Sequence, residues 1–295
     1  MSFLDILGPE SVESFFGGSW MKKPVILRPE RLPPCLSLTG DDITRMYIEQ
    51  ARDDDRYTSF NSEAKARIEG RTRVRALFQE DGDVGVSLER LSSREALIIR
   101  DLESVPPFDT YCSEVERFWK SRVSLNGYLI REGADHFPPH QDGHHIFAIQ
   151  ASGRKRWFLH PPSTPLPMSY YRRTKEKPDP SQAIVIEVEA GEVLYLPIGW
   201  VHHAETARGT SVHFSLGVRP LRWVDFLKDL CEVAGANHSP LRDYLPFAVG
   251  ETGVEYLGGL VSETAARLRL IERDLQESCG KLVDHHNRLP ESKKG

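Results

Sequence analysis

The stretch "PPHQDGHHIFAIQASGRKRWFLHPP", residues 138–162, decides the fold of this chain. It contains two runs rich in apolar and aromatic residues, "HIFAIQ" and "KRWFLH", which are typical of strands. Ser152 and Gly153 lie between them, which predicts a turn that returns the chain as a second strand. His140 and Asp142 come directly after two prolines and just before the first run. Because side chains two residues apart share a face of an extended segment, both can point into the interior of a β structure.

Similar β-rich segments follow one another from about residue 123 to residue 218. They are "VSLNGYLI", "AIVIEVE", "EVLYLP" and "TSVHFSLGV", and Gly and Pro signals separate them. Many short strands with turn residues between them predict a β-sandwich or barrel. Residues 163–182 are Pro-rich and polar, so we expect a long loop there.

Helical patterns flank this β region. Residues 1–30 predict helix and then strand, and residues 110–120 have helical spacing. We therefore expect a mainly β domain with an N-terminal α/β flank over residues 1–219. A C-terminal helical region should follow over residues 220–295.

An apolar stripe runs from Val261 to Leu282 at near-heptad spacing. A stripe of this kind either packs within its own domain or forms a two-helix seam. The second alternative predicts a homodimer.

Composition excludes several classes of function. The net charge is −5 and the isoelectric point about 6.1, so the chain has no basic footprint for nucleic acid. No apolar run is long enough to span a bilayer, and the N-terminus lacks the basic and apolar regions of a signal peptide. The four cysteines have no CxxC spacing. We therefore expect a cytoplasmic protein that binds neither nucleic acid nor membranes.

A third polar residue of interest, His202, follows another predicted strand in "GEVLYLPIGWVHHAET", after a bend at Pro197 and Gly199. With His140 and Asp142 it makes two imidazoles and one carboxylate. Such a set has open coordination positions and suits non-haem Fe(II) and its oxygen chemistry. Zinc would favour four ligands or a thiolate, and no cysteine lies in these segments.

Other histidines compete for the same role. His144 and His145 come soon after the His-x-Asp pair, and we expect them to be structural or to face a substrate. His203 and Glu205 form a second His-x-acid pair, but we expect no strand immediately after it. His213 lies in "SVHFSL", whose alternation can turn this side chain inward.

Lys155 is a candidate anion ligand. If Trp157 faces the interior, alternation turns Lys155 inward as well. A buried lysine is costly without an anion, and a dicarboxylate cosubstrate would supply one. A hairpin lysine bent to solvent fits the strand pattern equally well.

These motifs resemble those of the JmjC-type cupin oxygenases. Three of them occur in the order that the family has, namely His-x-Asp, G-x-K-x-W and P-x-G-W-x-H, and "SFFGGSWMKKPVILR" resembles the entry segment of its ribosomal oxygenase branch. The resemblance, over roughly residues 10–230, is closest to that branch of protein histidyl and arginyl hydroxylases. It implies a double-stranded β-helix, the cupin or JmjC jelly roll. It also implies that His140, Asp142 and His202 bind Fe(II) and that Lys155 pairs with the far carboxylate of 2-oxoglutarate. Further cosubstrate-pocket positions that it implies are Asn126, Tyr128 and His213.

The resemblance implies an Fe(II)-, 2-oxoglutarate- and O2-dependent hydroxylase that acts on a C–H bond of an amino-acid side chain in a peptide or protein. Ribosomal oxygenases carry a winged-helix domain after their dimerisation helices, and the roughly 75 residues after Pro220 are too few for both. A small natural product or free amino acid therefore stays open as the substrate. Two further functions stay open as well, an N-methyl-lysine demethylase and a non-catalytic cupin binding module.

Overall fold

The structure, a computed structural model, describes residues 3–8, 12–39, 42, 57–61, 66–69, 95–132, 137–162, 178–237, 239–242 and 259–265. The chain divides into two compact units, Met1–Arg219 and Pro220–Gly295.

The first unit is built on one antiparallel sheet. Its strands are β1 (Val25–Leu27), β2 (Tyr57–Asn61), β3 (Ala66–Glu69), β4 (Glu95–Ile99), β5 (Val123–Arg131), β6 (His145–His160), β7 (Ile184–Glu189), β8 (Val193–Leu196) and β9 (Val201–Val218). The order across the sheet is β1-β8-β6-β9-β5-β4-β2-β3, and β7 pairs with β6 off this path. The predicted mainly β character of this unit is confirmed.

Short helices precede and connect the strands. The 3₁₀ turns are Phe3–Leu7, Pro34–Leu36, Leu102–Ser104 and Pro180–Gln182, and the flank also has a helical turn at Val12–Ser14 that continues as a π-helix over Phe15–Ser19. Helix α1 (Phe108–Trp119) buries residues that recur three or four apart, namely Phe108, Tyr111, Cys112 and Val115. It ends at Trp119, and the next residue, Lys120, adopts a left-handed conformation, as residues just past the end of a helix often do.

Two hydrophobic clusters lie on opposite faces of β6. The first, the flank cluster, packs Phe3, Phe15 and α1 against one face of the sheet, where Phe147 and Ile149 contribute from β6. The second, the inner cluster, lies on the other face. Its members are Ile146, Ala148, Trp157, Leu159, Val188, Leu194, Leu196 and Trp200. Burying each such large side chain stabilises the fold by about 1.5–3 kcal/mol, so the flank is an integral part of this unit.

The predicted turn at Ser152 and Gly153 is wrong. Strand β6 continues through both residues, and its pairing with β9 shifts register between Gln150 and Lys155. Gly153 has a φ of 71°, which serves this irregularity and not a chain reversal. Turn signals cannot separate these two cases, because both need a residue with positive φ.

A second expectation is also wrong, since strand β9 begins at Val201 and carries both His203 and Glu205. The strand is longer than the predicted "TSVHFSLGV" because it continues through Gly209, whose φ is 68°.

The described part of the second unit contains helix α2 (Trp223–Asn237), the 3₁₀ turn Ser239–Arg242 and a helical stretch at 259–265. None of the helices in the described ranges is long and apolar enough to cross a bilayer. Most of the stripe from Val261 to Leu282, and most of the loop predicted at 163–182, lie outside the described residues.

Candidate active site

The segment that carries the His-x-Asp pair is fastened to the start of β9. His140 and His202 face each other across an antiparallel bridge, with His140 N–H donating to His202 O at 3.1 Å and the reverse bond at 2.8 Å. Three residues before His202, Gly199 N–H donates to the carbonyl oxygen of Asp142 at 3.1 Å. Gly199 has a φ of 84°, so the bend that brings β9 back to this segment needs a glycine.

These backbone bonds bring the predicted triad together. Single ligand atoms of His140, Asp142 and His202 all lie within 4.8 Å of one another. His202 Nε2 is 3.7 Å from Asp142 Oδ2, and the two imidazole centroids are 4.4 Å apart. The His202 side chain is buried, whereas 30% of the Asp142 side chain is exposed. The cluster is therefore open to solvent on the aspartate side.

The hydrogen bonds of the two histidines fit a metal ion. His140 Nδ1 lies 3.0 Å from Pro138 O, and His202 Nδ1 lies 3.0 Å from Trp200 O. A carbonyl oxygen only accepts, so each Nδ1 must carry the proton and each Nε2 keeps its lone pair in the neutral ring. Burial, and then the neighbouring His140, lowers the pKa of His202 to about 4, which keeps this imidazole neutral near pH 7.

Two imidazole nitrogens and a carboxylate on one open side make the donor set of a non-haem Fe(II) site. Within the described residues, this is the group of three or more potential ligands that lies close enough to hold an ion. The described thiols, Cys35, Cys112 and Cys231, are free and are not part of it. The donor set therefore fits Fe(II) better than a structural zinc ion.

A cavity of about 530 Å³, counted with its open mouth, adjoins the cluster. A concave space beside a few convergent polar groups is the usual form of a small-molecule site. Besides the triad, its walls are formed by Tyr128, Ile130, Phe137, Ile146, Lys155, Trp157, His203, Ala204, His213 and Ser215.

Lys155 lies inside this cavity and not in solvent. Only 2% of the residue is exposed, and burial lowers the pKa of its amine to about 7. Its ammonium is 5.9 Å from the centre of the Trp157 ring. No carboxylate of the described residues lies within ion-pair distance of it. The interpretation of Lys155 as a solvent-exposed hairpin lysine is therefore wrong for this structure.

Aromatic side chains share the cavity wall with Lys155, and some of their polar atoms lack partners within the part of the chain that the structure describes. Tyr128 stacks on His213 with centroids 4.6 Å apart, and Trp157 meets the same imidazole edge-on at 5.9 Å. Trp157 Nε1 and His213 Nδ1 are buried without a hydrogen-bond partner among the described residues. Burial, and then the Lys155 charge, lowers the pKa of His213 well below its usual value, so His213 is neutral. Buried polar atoms without partners in a cavity are positions where a ligand can bind.

The structure places the remaining predicted residues in different ways. Asn126 pairs with Ser215 across β5 and β9, but it is not among the cavity-lining residues. His203 lines the cavity and stacks flat on Phe158, with centroids 4.6 Å apart. His144 lies outside the cavity, where Arg219 Nη2 is 3.4 Å from its Nδ1.

His145 joins the N-terminal flank to the sheet. Its ring stacks on Trp20 at 4.1 Å, and its Nδ1 lies 2.9 Å from the Tyr195 hydroxyl. That hydroxyl accepts a hydrogen bond from Met21 N–H, so it donates to His145. Burial, and then His144, lowers the pKa of His145 to about 3, so His145 is a neutral structural residue.

Three parts of the cavity wall are not among those predicted from the sequence. They are Phe137, Ser215 and the indole N–H of Trp157. Ser215 could have been predicted, because it lies two residues after His213 in the same strand and on the same face. Phe137 had no comparable signal, since it comes before the prolines in a segment without regular periodicity.

Comparison with known proteins agrees with this site. The family model of the JmjC domain matches residues 100–226. Ribosomal oxygenase 2 of Rattus norvegicus is 32% identical over 120 residues, which are 39% of this chain and 25% of that protein. The bifunctional lysine-specific demethylase and histidyl-hydroxylase NO66 of Aedes aegypti is 27% identical over 285 residues, which are 91% of this chain and 43% of that protein. The chain thus spans only a quarter to about half of the length of these relatives.

Among solved structures, the ribosomal oxygenase YcfD of Escherichia coli has the same fold. It superposes with a TM-score of 0.57 at 17% sequence identity, over 92% of this chain and 70% of that chain. Another structure of YcfD contains cobalt and 2-oxoglutarate. The prediction of a double-stranded β-helix of the cupin type is confirmed by this likeness. The predicted resemblance to the ribosomal oxygenase branch is confirmed by the relatives named above. Residues 100–226 of this chain are therefore similar to a JmjC domain.

Proposed function

We propose that the chain is an Fe(II)- and 2-oxoglutarate-dependent oxygenase that hydroxylates a C–H bond of an amino-acid side chain in a protein or peptide. One observation carries this proposal: a buried lysine that has no carboxylate partner among the described residues shares a cavity with an open cluster of two histidines and one aspartate. The cluster suits a metal ion that keeps open positions, and the lysine suits an anion bound beside it.

His140, Asp142 and His202 would hold the metal ion through two Nε2 atoms and a carboxylate oxygen. When bound, iron together with 2-oxoglutarate and O2 supplies an oxidant for an unactivated C–H bond, with succinate and CO2 as the coproducts. The contribution of the chain is to leave coordination positions open and to keep both imidazoles in the tautomer that binds a metal.

Lys155 would hold the far carboxylate of 2-oxoglutarate. Its ammonium is the cation on the cavity wall that is almost completely removed from water, so an anion there compensates the cost of its burial. Trp157 Nε1 can donate only, so it is suited to a carboxylate oxygen. His213 Nδ1 can donate in the appropriate tautomer of its neutral ring.

A protein substrate is the choice that the relatives support, since their names refer to ribosomal oxygenase and histidyl-hydroxylase activities. The same names include a lysine-specific demethylase. Hydroxylation of a side chain is preferred here because the ribosomal oxygenase name recurs among both the relatives and the similar structures.

The test is to incubate the full chain with Fe(II), 2-oxoglutarate and a pool of ribosomal and other cellular proteins. We expect succinate to form and one oxygen atom to be added to a side chain of one of the proteins, as detected by mass spectrometry of peptides. Asp142→Ala is the matched control and should abolish both products. Release of formaldehyde from methyl-lysine peptides would support the demethylase instead. Turnover with free amino acids alone would contradict a protein substrate, and no succinate under any condition would contradict the oxygenase.

A further inference from the structure

The positions of β6 that face the inner cluster change from even-numbered to odd-numbered along the strand. Before residue 150, even-numbered positions contribute to the inner cluster, as Ile146 and Ala148 do. After residue 154, odd-numbered positions do so, as Trp157 and Leu159 show. In a regular strand, residues of the same parity all face the same side. An irregularity between these two stretches must therefore have exchanged the two faces.

The irregularity begins at Ala151. Gln150 pairs with His213 on β9, and Ser152 pairs with Val212, so Ala151 is an extra residue on β6. Strand β9 changes phase as well, because its cavity-lining residues are His202 and Ala204 before the irregular region and His213 and Ser215 after it. One inserted residue that turns the following side chains to the other face is a β-bulge.

The bulge decides which residues of "GRKRW" enter the cavity. If the parity of Ile146 and Ala148 continued, the two arginines that flank Lys155 would face inward and Lys155 would face solvent. In the structure Arg154 and Arg156 lie outside, where they pair with Glu187 and Glu189 of β7. Lys155 lies inside with 2% of its surface exposed.

The side chain of Gln150 bridges the two strands at this break. It is 1% exposed, and its Nε2 donates to Ser152 O at 2.7 Å and to Ser211 Oγ at 2.8 Å, with Val212 O at 3.2 Å. Ser152 lies on the bulged side of the break, whereas Ser211 and Val212 lie on β9. A bulge interrupts the ladder locally, and a side-chain amide that donates to carbonyls on both sides replaces part of the lost bonding.

Gly153 lies in the next register shift along β6, between Ser152 and Arg154, and supplies its backbone conformation. Its φ of 71° is one that side chains with a Cβ rarely adopt, and a Cβ there would lie 2.3 Å from Thr210 O. The irregular stretch from Gln150 to Lys155 therefore depends on a glycine for its shape and on the amide of Gln150 for its connection to β9.

We infer that Gln150 is a positioning residue, whose side-chain amide holds the bulge at Ala151 and thereby turns Lys155 into the cavity. The orientation of Lys155 follows from the fold alone. Its consequence for 2-oxoglutarate rests on the function proposed above.

The first experiment measures the position of Lys155 without any ligand. The full metal-free chain is labelled with a trace of acetic anhydride at pH 9, and peptide mass spectrometry compares acetylation of Lys155 with that of the exposed Lys228. Gln150→Met keeps the length of the side chain but cannot donate. We expect labelling of Lys155 to rise by at least about tenfold, because the loss of buried hydrogen bonds shifts a local equilibrium by a factor of that order.

A matched control separates this effect from general loss of stability. Val123→Ala removes two methyl groups from the flank cluster at the far end of β5 and leaves the bulge intact. It should lower the melting temperature without changing the labelling of Lys155. Equal labelling of Lys155 in Val123→Ala and Gln150→Met would overturn the inference, as would unchanged labelling in folded Gln150→Met.

If Gln150→Met does not fold, Ser211→Ala is the second variant. It removes one of the three acceptors of the amide and leaves the carbonyls in place, so labelling should rise by a smaller factor. Unchanged labelling in Ser211→Ala would then overturn the inference.

The second experiment measures the affinity of the Co(II)-loaded full chain for 2-oxoglutarate by calorimetry. Gln150→Met should weaken this affinity while Co(II) binding stays at the wild-type value, because the side-chain hydrogen bonds of Gln150 go to Ser152, Ser211 and Val212 and not to the triad. Wild-type protein that does not bind 2-oxoglutarate would contradict the proposed function and leave the labelling result to decide the role of Gln150. Normal 2-oxoglutarate affinity in a variant whose Lys155 has become accessible would overturn the link between the bulge and the cosubstrate.

Discussion

The ammonium of Lys155 lies 5.9 Å from the centre of the Trp157 ring, two residues further along β6, and both side chains are buried in the cavity beside His202. A contact of this kind with an indole face contributes about 0.5–2 kcal/mol, which does not compensate the burial of an ammonium. An anion bound in the cavity would supply the rest of the stabilisation that the buried ammonium needs.

Removal of the lysine charge should therefore affect the binding of 2-oxoglutarate and leave metal binding unchanged. Truncating one partner of a buried charged pair costs on the order of 2–5 kcal/mol, so Lys155→Ala should weaken the affinity by roughly 30-fold or more. Lys155→Arg should retain part of it, because the charge is kept while the geometry changes. The measurement is calorimetric titration of the Co(II)-loaded protein.

Arg156→Ala is the control for Lys155→Ala, since Arg156 is the next residue and pairs with Glu187 on the outside of β6. It should bind 2-oxoglutarate as the wild type does. Equal affinity in Lys155→Ala and the wild type would exclude Lys155 from the cosubstrate site.

The affinity for 2-oxoglutarate should also depend on pH. Burial lowers the pKa of Lys155 to about 7 in the free protein, and a bound carboxylate would raise it. Only the protonated amine pairs with the carboxylate, so binding takes up a proton when the pH is above the pKa of the free protein. From pH 7 to 9 the affinity should fall by up to about tenfold per pH unit.

Lys155→Arg provides the comparison for this pH dependence. The arginine stays protonated throughout this range, so the variant should lack the contribution of Lys155 to the slope. The same slope in the wild type and in Lys155→Arg would assign the pH dependence to another group.

The triad makes a separate prediction about the metal ion. Asp142→Ala removes the carboxylate ligand and should weaken Co(II) binding by on the order of 100-fold or more, since even the groups that orient ligands contribute 10–100-fold. His203→Ala, next to His202 but stacked on Phe158, should bind Co(II) normally. Both affinities can be measured from the visible absorption of Co(II). A loss in His203→Ala as large as that in Asp142→Ala would reassign the ligand set.

Much of this site could be predicted from the sequence, because its parts lie in short motifs. His140 and Asp142 are two residues apart in an extended segment, and His202 follows a Pro and Gly bend, so local rules are sufficient to propose one metal site. The strand pattern predicts the inward orientation of Lys155 only on the condition that Trp157 faces the interior. The homodimer and the cytoplasmic location stay predictions.

The bulge at Ala151 could not be predicted in the same way. Ser152 and Gly153 signal a break in the strand, but a turn and a bulge need the same backbone freedom. The residue that decides between them is Val212, which pairs with Ser152 from 60 positions further along the chain. Local periodicity contains no information about that pairing, so the continuity of β6 and the role of Gln150 became visible only in the structure.

The hydroxyl of Tyr195 connects the N-terminal flank to the sheet through two hydrogen bonds. The Tyr195 hydroxyl accepts from Met21 N–H at 3.0 Å and donates to His145 Nδ1 at 2.9 Å, and Tyr195 is fully buried. Tyr195→Phe would remove both of these bonds. Met21 N–H would lose its acceptor, and His145 Nδ1 would keep only the long bond from Ile198 N–H at 3.4 Å, so we expect a cost of about 1–3 kcal/mol. Tyr111→Phe is a matched control, because its buried hydroxyl has no hydrogen-bond partner among the described residues, so its removal should be neutral or slightly stabilising. Thermal unfolding followed by circular dichroism should show a melting temperature lowered by several degrees in Tyr195→Phe alone, at roughly 2–4 °C per kcal/mol for a domain of this size. An equal decrease in both variants would mean that the two hydroxyls contribute alike and that the bridge from Met21 to His145 does not fasten the flank.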